Sequence, residues 1–271
     1  MDYLRFFRLE HIPFLNTPDN RFFFESRSHK EALIRLIHSA EQMSGLALVV
    51  GDIGAGKTTL ARKFLDSLDD TCFESALLVI LHTRITADWL LHKIALQVGV
   101  PSPPKTKQEI LPALFDRLFE LFEANRKTVV LVDEAQMLQT REIMEEFRGL
   151  LNLEVPSRKL IHFVFFALSE VEDYLRIDPP LYQRMSMRFA LQSLSYEETV
   201  EYVLHRLKIA GADNPIFSEA AFELIFHYSK GVPRVINTIC ENCLFEAFLL
   251  KNEFISRALT MEVVKNLGYN G

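Results

Sequence analysis

Gly51-Asp52-Ile53-Gly54-Ala55-Gly56-Lys57-Thr58-Thr59 decides the fold of this 271-residue chain. It fits G-x-x-x-x-G-K-[ST], a glycine-rich turn between a strand and a helix that cradles phosphate. The context agrees with the pattern. Leu46–Val50 is a short apolar run before it, and Leu60, Ala61, Phe64, Leu65 and Leu68 follow at helical spacing. Gly51, Gly54 and Gly56 let the backbone turn tightly, so that its N–H groups and the positive end of the next helix face a phosphate. In this motif Lys57 reaches the β- and γ-phosphates and the Thr58 hydroxyl holds Mg²⁺. The whole stretch Gly51–Thr59 is therefore the expected ATP-binding segment, with Thr59 placed for packing or capping rather than ligation.

A second signal lies downstream. The apolar run Thr128–Val132 ends in Asp133-Glu134-Ala135-Gln136. An acidic pair at the end of a buried strand suits a metal-supporting Asp133 and a water-polarising Glu134. Ala76–Leu81, Ile161–Ala167 and a short Arg188–Leu191 read as further strands. Helical periodicity falls on 28–43, 86–98, 107–123 and 141–151. Near-continuous apolar strands separated by helices predict a parallel sheet covered on both faces, here of five strands. Ligands of such sheets bind at the carboxyl ends of the strands, where both motifs sit.

From Ser195 the pattern is helical. Ser195 with Glu198 makes a capping box, followed by Tyr196, Val200, Val203, Leu204 and Leu207 as an apolar face. Ser218 opens a helix through Tyr228, Gly231-Val232-Pro233-Arg234 opens another to about Leu250, and a last one covers 260–267. The expected organisation is an N-terminal strap and first helix packed on the ATPase core (1–44), a P-loop α/β domain (45–191) and a small helical lid (192–271). Within the strap, Ile12-Pro13-Phe14 and Phe22-Phe23-Phe24 serve either as packing or as cover for the adenine ring. The sequence leaves both open.

Composition excludes several classes. Hydrophobic residues are 49% and charged residues 24%, ordinary for a globular protein. A net charge of −6 gives no strong nucleic-acid signal. Three cysteines suggest no disulfide framework and fit a cytosolic compartment. No apolar run approaches a membrane span, so membrane association is expected only through a partner or residues outside this sequence. Cys240-x-x-Cys243 lies in an apolar helical pattern and reads as packing, as does Trp89. Glu142, Glu145 and Glu146 read as a solvated helix face.

The P-loop, the Asp-Glu strand end, Gln183-Arg184 before the fifth strand and Gly231-x-Pro-Arg234 together resemble an AAA+ ATPase. Pro13-Phe14, Thr17-Pro18-Asp19, His29 with Glu31-Ala32-Leu33, Asp133–Gln136, Leu150–Glu154 and Gly231–Asn237 narrow the likeness to the ExeA/GspA-type ATPases of secretion and pilus biogenesis. The likeness runs from about residue 3 to 267. It implies a homo-oligomer that binds ATP with Mg²⁺, working with secretion or pilus assembly proteins at the cytoplasmic side of the inner membrane. It implies that Arg184, with Arg188 second, acts on a neighbour's nucleotide, and that Arg234 senses the γ-phosphate. Relatives carry Gly-Gln-Pro-Glu-Leu after the fourth strand, where this chain has Ala167-Leu168-Ser169-Glu170-Val171. Leucine cannot hydrogen-bond a phosphate, so either Ser169 substitutes or hydrolysis is slow. Two other readings share the fold: a transposition regulator of the TniB/MuB type, which binds DNA, and a slow nucleotide-gated scaffold. Residues 191–271 hold seven Lys/Arg against ten Asp/Glu, which weighs against the first.

Overall fold

The computed structural model describes residues 3–104, 106–156 and 158–269. The chain forms two compact units. One, the sheet unit, comprises Ser28–Ile53 and Leu60–Leu191. The other, the helical unit, comprises the chain up to Arg27, Gly54–Thr59 and the chain from Gln192.

The sheet unit holds five parallel strands: β1 (Leu46–Val50), β2 (Phe73–Val79), β3 (Lys127–Asp133), β4 (Ile161–Ala167) and β5 (Met185–Ala190), in the order β2-β3-β4-β1-β5. Every residue of β1 and β4 is buried, as strands covered on both faces require. Phe147 packs edge-on against Phe163 and Phe165 at 5.0 and 4.9 Å, joining the Arg141–Leu150 helix to the sheet.

Sequence reading misplaced some boundaries. The expected second strand, 76–81, starts three residues earlier because Phe73 pairs with Lys127, and it stops short because Leu81 is 83% exposed. Strand β3 carries its ladder through Asp133, opposite Val79 and Phe166. The fifth strand begins at Met185 rather than Arg188. It lies at a sheet edge with half-exposed residues, so its apolar pattern is weak. Glu146 is not part of a solvated face: it is buried and ion-paired with Lys107, whereas Glu142 is exposed and Glu145 pairs with Arg141.

In the helical unit, Tyr196–Ile209, Glu219–Ser229, Pro233–Leu249 and Arg257–Asn266 surround one core. The Ser195–Glu198 capping box is present, and Ser218 and Ser256 cap the second and fourth helices. The last helix thus starts three residues before its expected position. Leu204, assigned to the buried face, is 48% exposed, while Thr199, Tyr202 and Arg206 are buried in its stead. Cys240 and Cys243 are fully buried in this core. Burial pushes the Cys243 thiol up to about 12 and the Cys240 thiol well above its ordinary value, so both remain protonated packing groups.

The segment expected to strap the ATPase core divides at Arg27. Up to that point its aromatics, Phe7, Phe14 and Phe22, lie in the helical core. Arg206 fixes it there, donating to the carbonyls of Pro13 (2.5 Å) and Leu15 (3.2 Å) and stacking over Phe22 at 5.0 Å. The backbone N–H of Arg27 donates to Glu198 at 2.9 Å.

Candidate functional site

In the sheet unit, the parallel register brings three strand ends together. Val50 stands opposite Ala167, and Asp133 opposite Phe166. The first P-loop residue follows directly: the Gly51 N–H donates to the Ala167 carbonyl at 3.2 Å. Gly51, Asp133, Glu134 and Leu168 are thereby gathered at the carboxyl edge of β1, β3 and β4.

Asp133 is 2% exposed, and its Oδ1 accepts the Glu134 N–H at 3.0 Å. Glu134 takes up a left-handed backbone, φ 58° and ψ 36°, uncommon for a residue with a side chain and enriched at functional sites. Its carboxylate accepts from the Gln136 side-chain amide, whose own oxygen accepts the Leu168 N–H at 3.1 Å. The sequence singles out Asp133 and Glu134 as candidates by position and assigns Gln136 no role. The only signal was its place in the quoted Asp133–Gln136 motif.

The two candidate arginines differ. Arg184 follows the Pro179–Tyr182 helix, and its carbonyl accepts the Leu46 N–H at 3.4 Å. It therefore sits at the amino end of β1, about 13 Å of strand from Val50 at 3.3 Å per residue. Its guanidinium donates to two neutral acceptors, the Pro180 carbonyl (2.7 Å) and Asn152 Oδ1 (2.8 Å). Arg188, on the edge strand β5, pairs with Leu48 midway along β1, and Nε (3.0 Å) and Nη2 (2.5 Å) both reach Glu172 Oε1. That carboxylate raises the Arg188 pKa above its usual value and holds the charge in place.

The helical unit contains the second half of the P-loop, Gly54–Thr59. Gly54 and Gly56 have φ of +83° and +96°, which glycine adopts without steric cost. The Lys57–Asp66 helix starts directly after the turn, and Lys57 is 8% exposed. Against this turn stands the start of the Pro233–Leu249 helix. The Arg234 N–H donates to the Gly54 carbonyl at 3.3 Å. Gly231, with φ +74°, leads into it, and a Cβ there would meet the Leu194 carbonyl at 1.9 Å. Pro233 occupies the first turn, where its missing N–H costs nothing.

Taken unit by unit, the residues suit the groups of a nucleoside triphosphate with Mg²⁺: in the helical unit the tight glycine turn ahead of a helix N-terminus suits phosphate oxygens, and in the sheet unit the buried Asp133 suits a cation's water shell. Among the described residues no group of three or more His, Cys, Asp or Glu is arranged to hold a metal by itself.

Five parallel strands in this order, a glycine-rich turn after the first and an acidic strand end beside it define a P-loop nucleotide-binding protein. The chain belongs to the AAA domain family, whose model matches residues 40–175. It is 34% identical over 249 residues to general secretion pathway protein A of Aeromonas hydrophila. That alignment covers 91% of this chain and 45% of the relative, so the chain spans under half of the relative's length. Solved structures share the fold. The ORC2 protein of Aeropyrum pernix matches with a TM-score of 0.69 and 18% identity, over 92% of this chain and 72% of that one. Cdc6p of Pyrobaculum aerophilum matches at 0.68 and 19% (92% and 71%). The RuvB Holliday junction branch migration motor of Thermotoga maritima matches at 0.64 and 17% (94% and 73%). Among the described residues no helix is long and apolar enough to cross a membrane.

Proposed function

We propose that this chain binds Mg·ATP and hydrolyses it to ADP and phosphate to assemble or energise a bacterial secretion (type II, general secretion pathway) or pilus system. The observation that carries this reading is the 34% identity to general secretion pathway protein A across 91% of the chain, with the P-loop and the acidic strand end both intact.

In this reading Gly51–Thr59 wraps the phosphates, and Lys57 neutralises charge on the β- and γ-oxygens. Thr58 and Asp133 would hold Mg²⁺, which would supply positive charge to offset that of the phosphates. Glu134 accepts a proton from the attacking water and orients it in line. Arg234 couples γ-phosphate occupancy to its helix. Arg184 acts on the nucleotide of a neighbouring subunit in a homo-oligomer. In GTPases such a donated arginine is worth about 10³–10⁵ in rate. Support for the trans role comes from the position of Arg184 at the opposite end of β1 from Gly51, and from its neutral partners, which release a guanidinium more readily than a carboxylate does. The protein works in the cytosol, peripheral to the inner membrane through its partners.

Phosphate release from ATP, measured across protein concentration, tests the reading. Turnover per chain that rises with concentration, together with loss of nucleotide binding in Lys57→Ala, is the expected result. Unchanged ATP affinity in Lys57→Ala would sink it. The envelope role is tested by co-purification from a native host, which should recover secretion or pilus assembly proteins. Steeply salt-dependent binding to duplex DNA would favour the transposition-regulator reading in its place.

A further inference from the structure

We propose that Gln136 is a positioning residue for hydrolysis, tying the Glu134 carboxylate to the loop after β4. The inference rests on the ATPase reading above. Gln136 is 2% exposed and uses both ends of its amide. The nitrogen donates to Glu134 Oε2, and the oxygen accepts the Leu168 N–H at 3.1 Å. A neutral carboxamide offers a donor and an acceptor on separate atoms a fixed distance apart. A carboxylic side chain in this place would face Glu134 with a like charge, and an aliphatic one would leave the Leu168 N–H without this acceptor.

The arrangement addresses two facts about the site. Glu134 is a long, half-exposed side chain on a left-handed backbone, and nothing about its own sequence position fixes its rotamer. One bond at Oε2 restrains the carboxylate and leaves Oε1 to accept from water, since an ionised carboxylate has about four acceptor positions. Leu168, meanwhile, brings an apolar side chain to the loop after β4. Its backbone N–H remains, and Gln136 reads that group. Movement of the loop after β4 is therefore passed to the carboxylate through one rigid amide. Gln136 is buried and spends its amide on Glu134 and the Leu168 N–H, so its effect on the chemistry runs through Glu134.

The experiment compares steady-state ATP turnover and nucleotide affinity in Gln136→Ala, Gln136→Glu and Glu134→Gln, and in Glu134→Gln carrying Gln136→Ala. The expected kcat falls about tenfold in Gln136→Ala, with KM and nucleotide affinity within about twofold, because misplaced catalytic groups cost rate rather than binding. Gln136→Glu keeps the volume and the acceptor for Leu168 but loses the donor, so it falls at least as far. In the Glu134→Gln background, Gln136→Ala adds no further loss. A thermal melt establishes that each variant is folded, and Gln136→Glu decides the matter if the alanine variant is not. A kcat within twofold of the unaltered chain, a faster one, or a raised KM with unchanged kcat overturns the inference. Loss of turnover in Glu134→Gln without loss in the Gln136 variants overturns this inference alone. No turnover in the unaltered chain removes the ATPase reading and this inference with it.

Discussion

Gly54 and Arg234 are in contact through their backbones: the Arg234 N–H reaches the Gly54 carbonyl, and a Cβ on Gly54 would lie 2.7 Å from the Arg234 Cβ. The P-loop turn is thus sealed on one side by the first turn of the Pro233–Leu249 helix. Gly54→Ala combines a side chain at φ +83° with a clash against a rigid backbone-proximal atom. It is expected to cost about 1–3 kcal/mol of stability and to weaken ATP binding at least tenfold. A melting curve and a fluorescent-nucleotide titration measure the two effects. A variant with wild-type affinity would show that the turn tolerates a side chain and that its contact with Arg234 is incidental.

Glu134→Gln should separate binding from chemistry. The amide preserves the shape of the side chain but removes its capacity to take a proton from water. Nucleotide affinity is expected to stay within about threefold, while kcat falls at least about a hundredfold, at the low end of the general-base range. Single-turnover hydrolysis with a parallel binding titration reads both quantities. Wild-type turnover in this variant would take Glu134 out of the chemistry.

The contrast between Glu134 and Gln136 shows how far the sequence could be read. Local chemistry was legible: Gly54, Gly56, Lys57 and the Asp133-Glu134 strand end announce themselves through spacing and residue type. So was the sheet, because β1, β3 and β4 are buried on both faces and read as unbroken apolar runs. What escaped depends on contacts distant in sequence. Gln136 meets Leu168 across 32 residues, and Arg206 meets the Pro13 carbonyl across 193. The burial of Glu146 depends on Lys107, in another helix. Edge strand β5 was shortened for a different reason: a half-exposed strand carries little apolar signal.

Arg184 and Arg188 make opposing predictions. Arg188 is paired with Glu172, so Arg188→Ala leaves a carboxylate that is only 12% exposed with the more distant Arg176, at 3.9 Å, as its ion-pair partner, and its main effect is on stability. Arg184 donates to Pro180 and Asn152, and its loss leaves no charge unpaired by an ion pair. Arg184→Ala is expected to melt within a few degrees of the unaltered chain but to hydrolyse ATP at least about tenfold more slowly, a modest share of the rate that donated arginines supply. Mixing Arg184→Ala with Lys57→Ala subunits should restore part of the activity, because each supplies the half-site the other lacks. No recovery at any mixing ratio would make Arg184 a purely intramolecular residue.

His162 supplies a prediction about pH that is independent of nucleotide. It is fully buried in β4, with Nε2 3.4 Å from Ser39 Oγ. Burial lowers its pKa from 6.5 to about 4. Between those values the unfolded chain takes up a proton that the folded chain refuses. The contribution of this residue is therefore fully present above pH 6.5, and stability is lost as pH falls toward 4. The limiting slope is about 1.4 kcal/mol per pH unit. Urea unfolding at several pH values should show this slope in the unaltered chain. It should be shallower by up to that amount in His162→Gln, which keeps a polar group near Ser39 but does not titrate. Equal slopes in the two proteins would mean that His162 is protonated in the folded state and that its buried surroundings accept the charge.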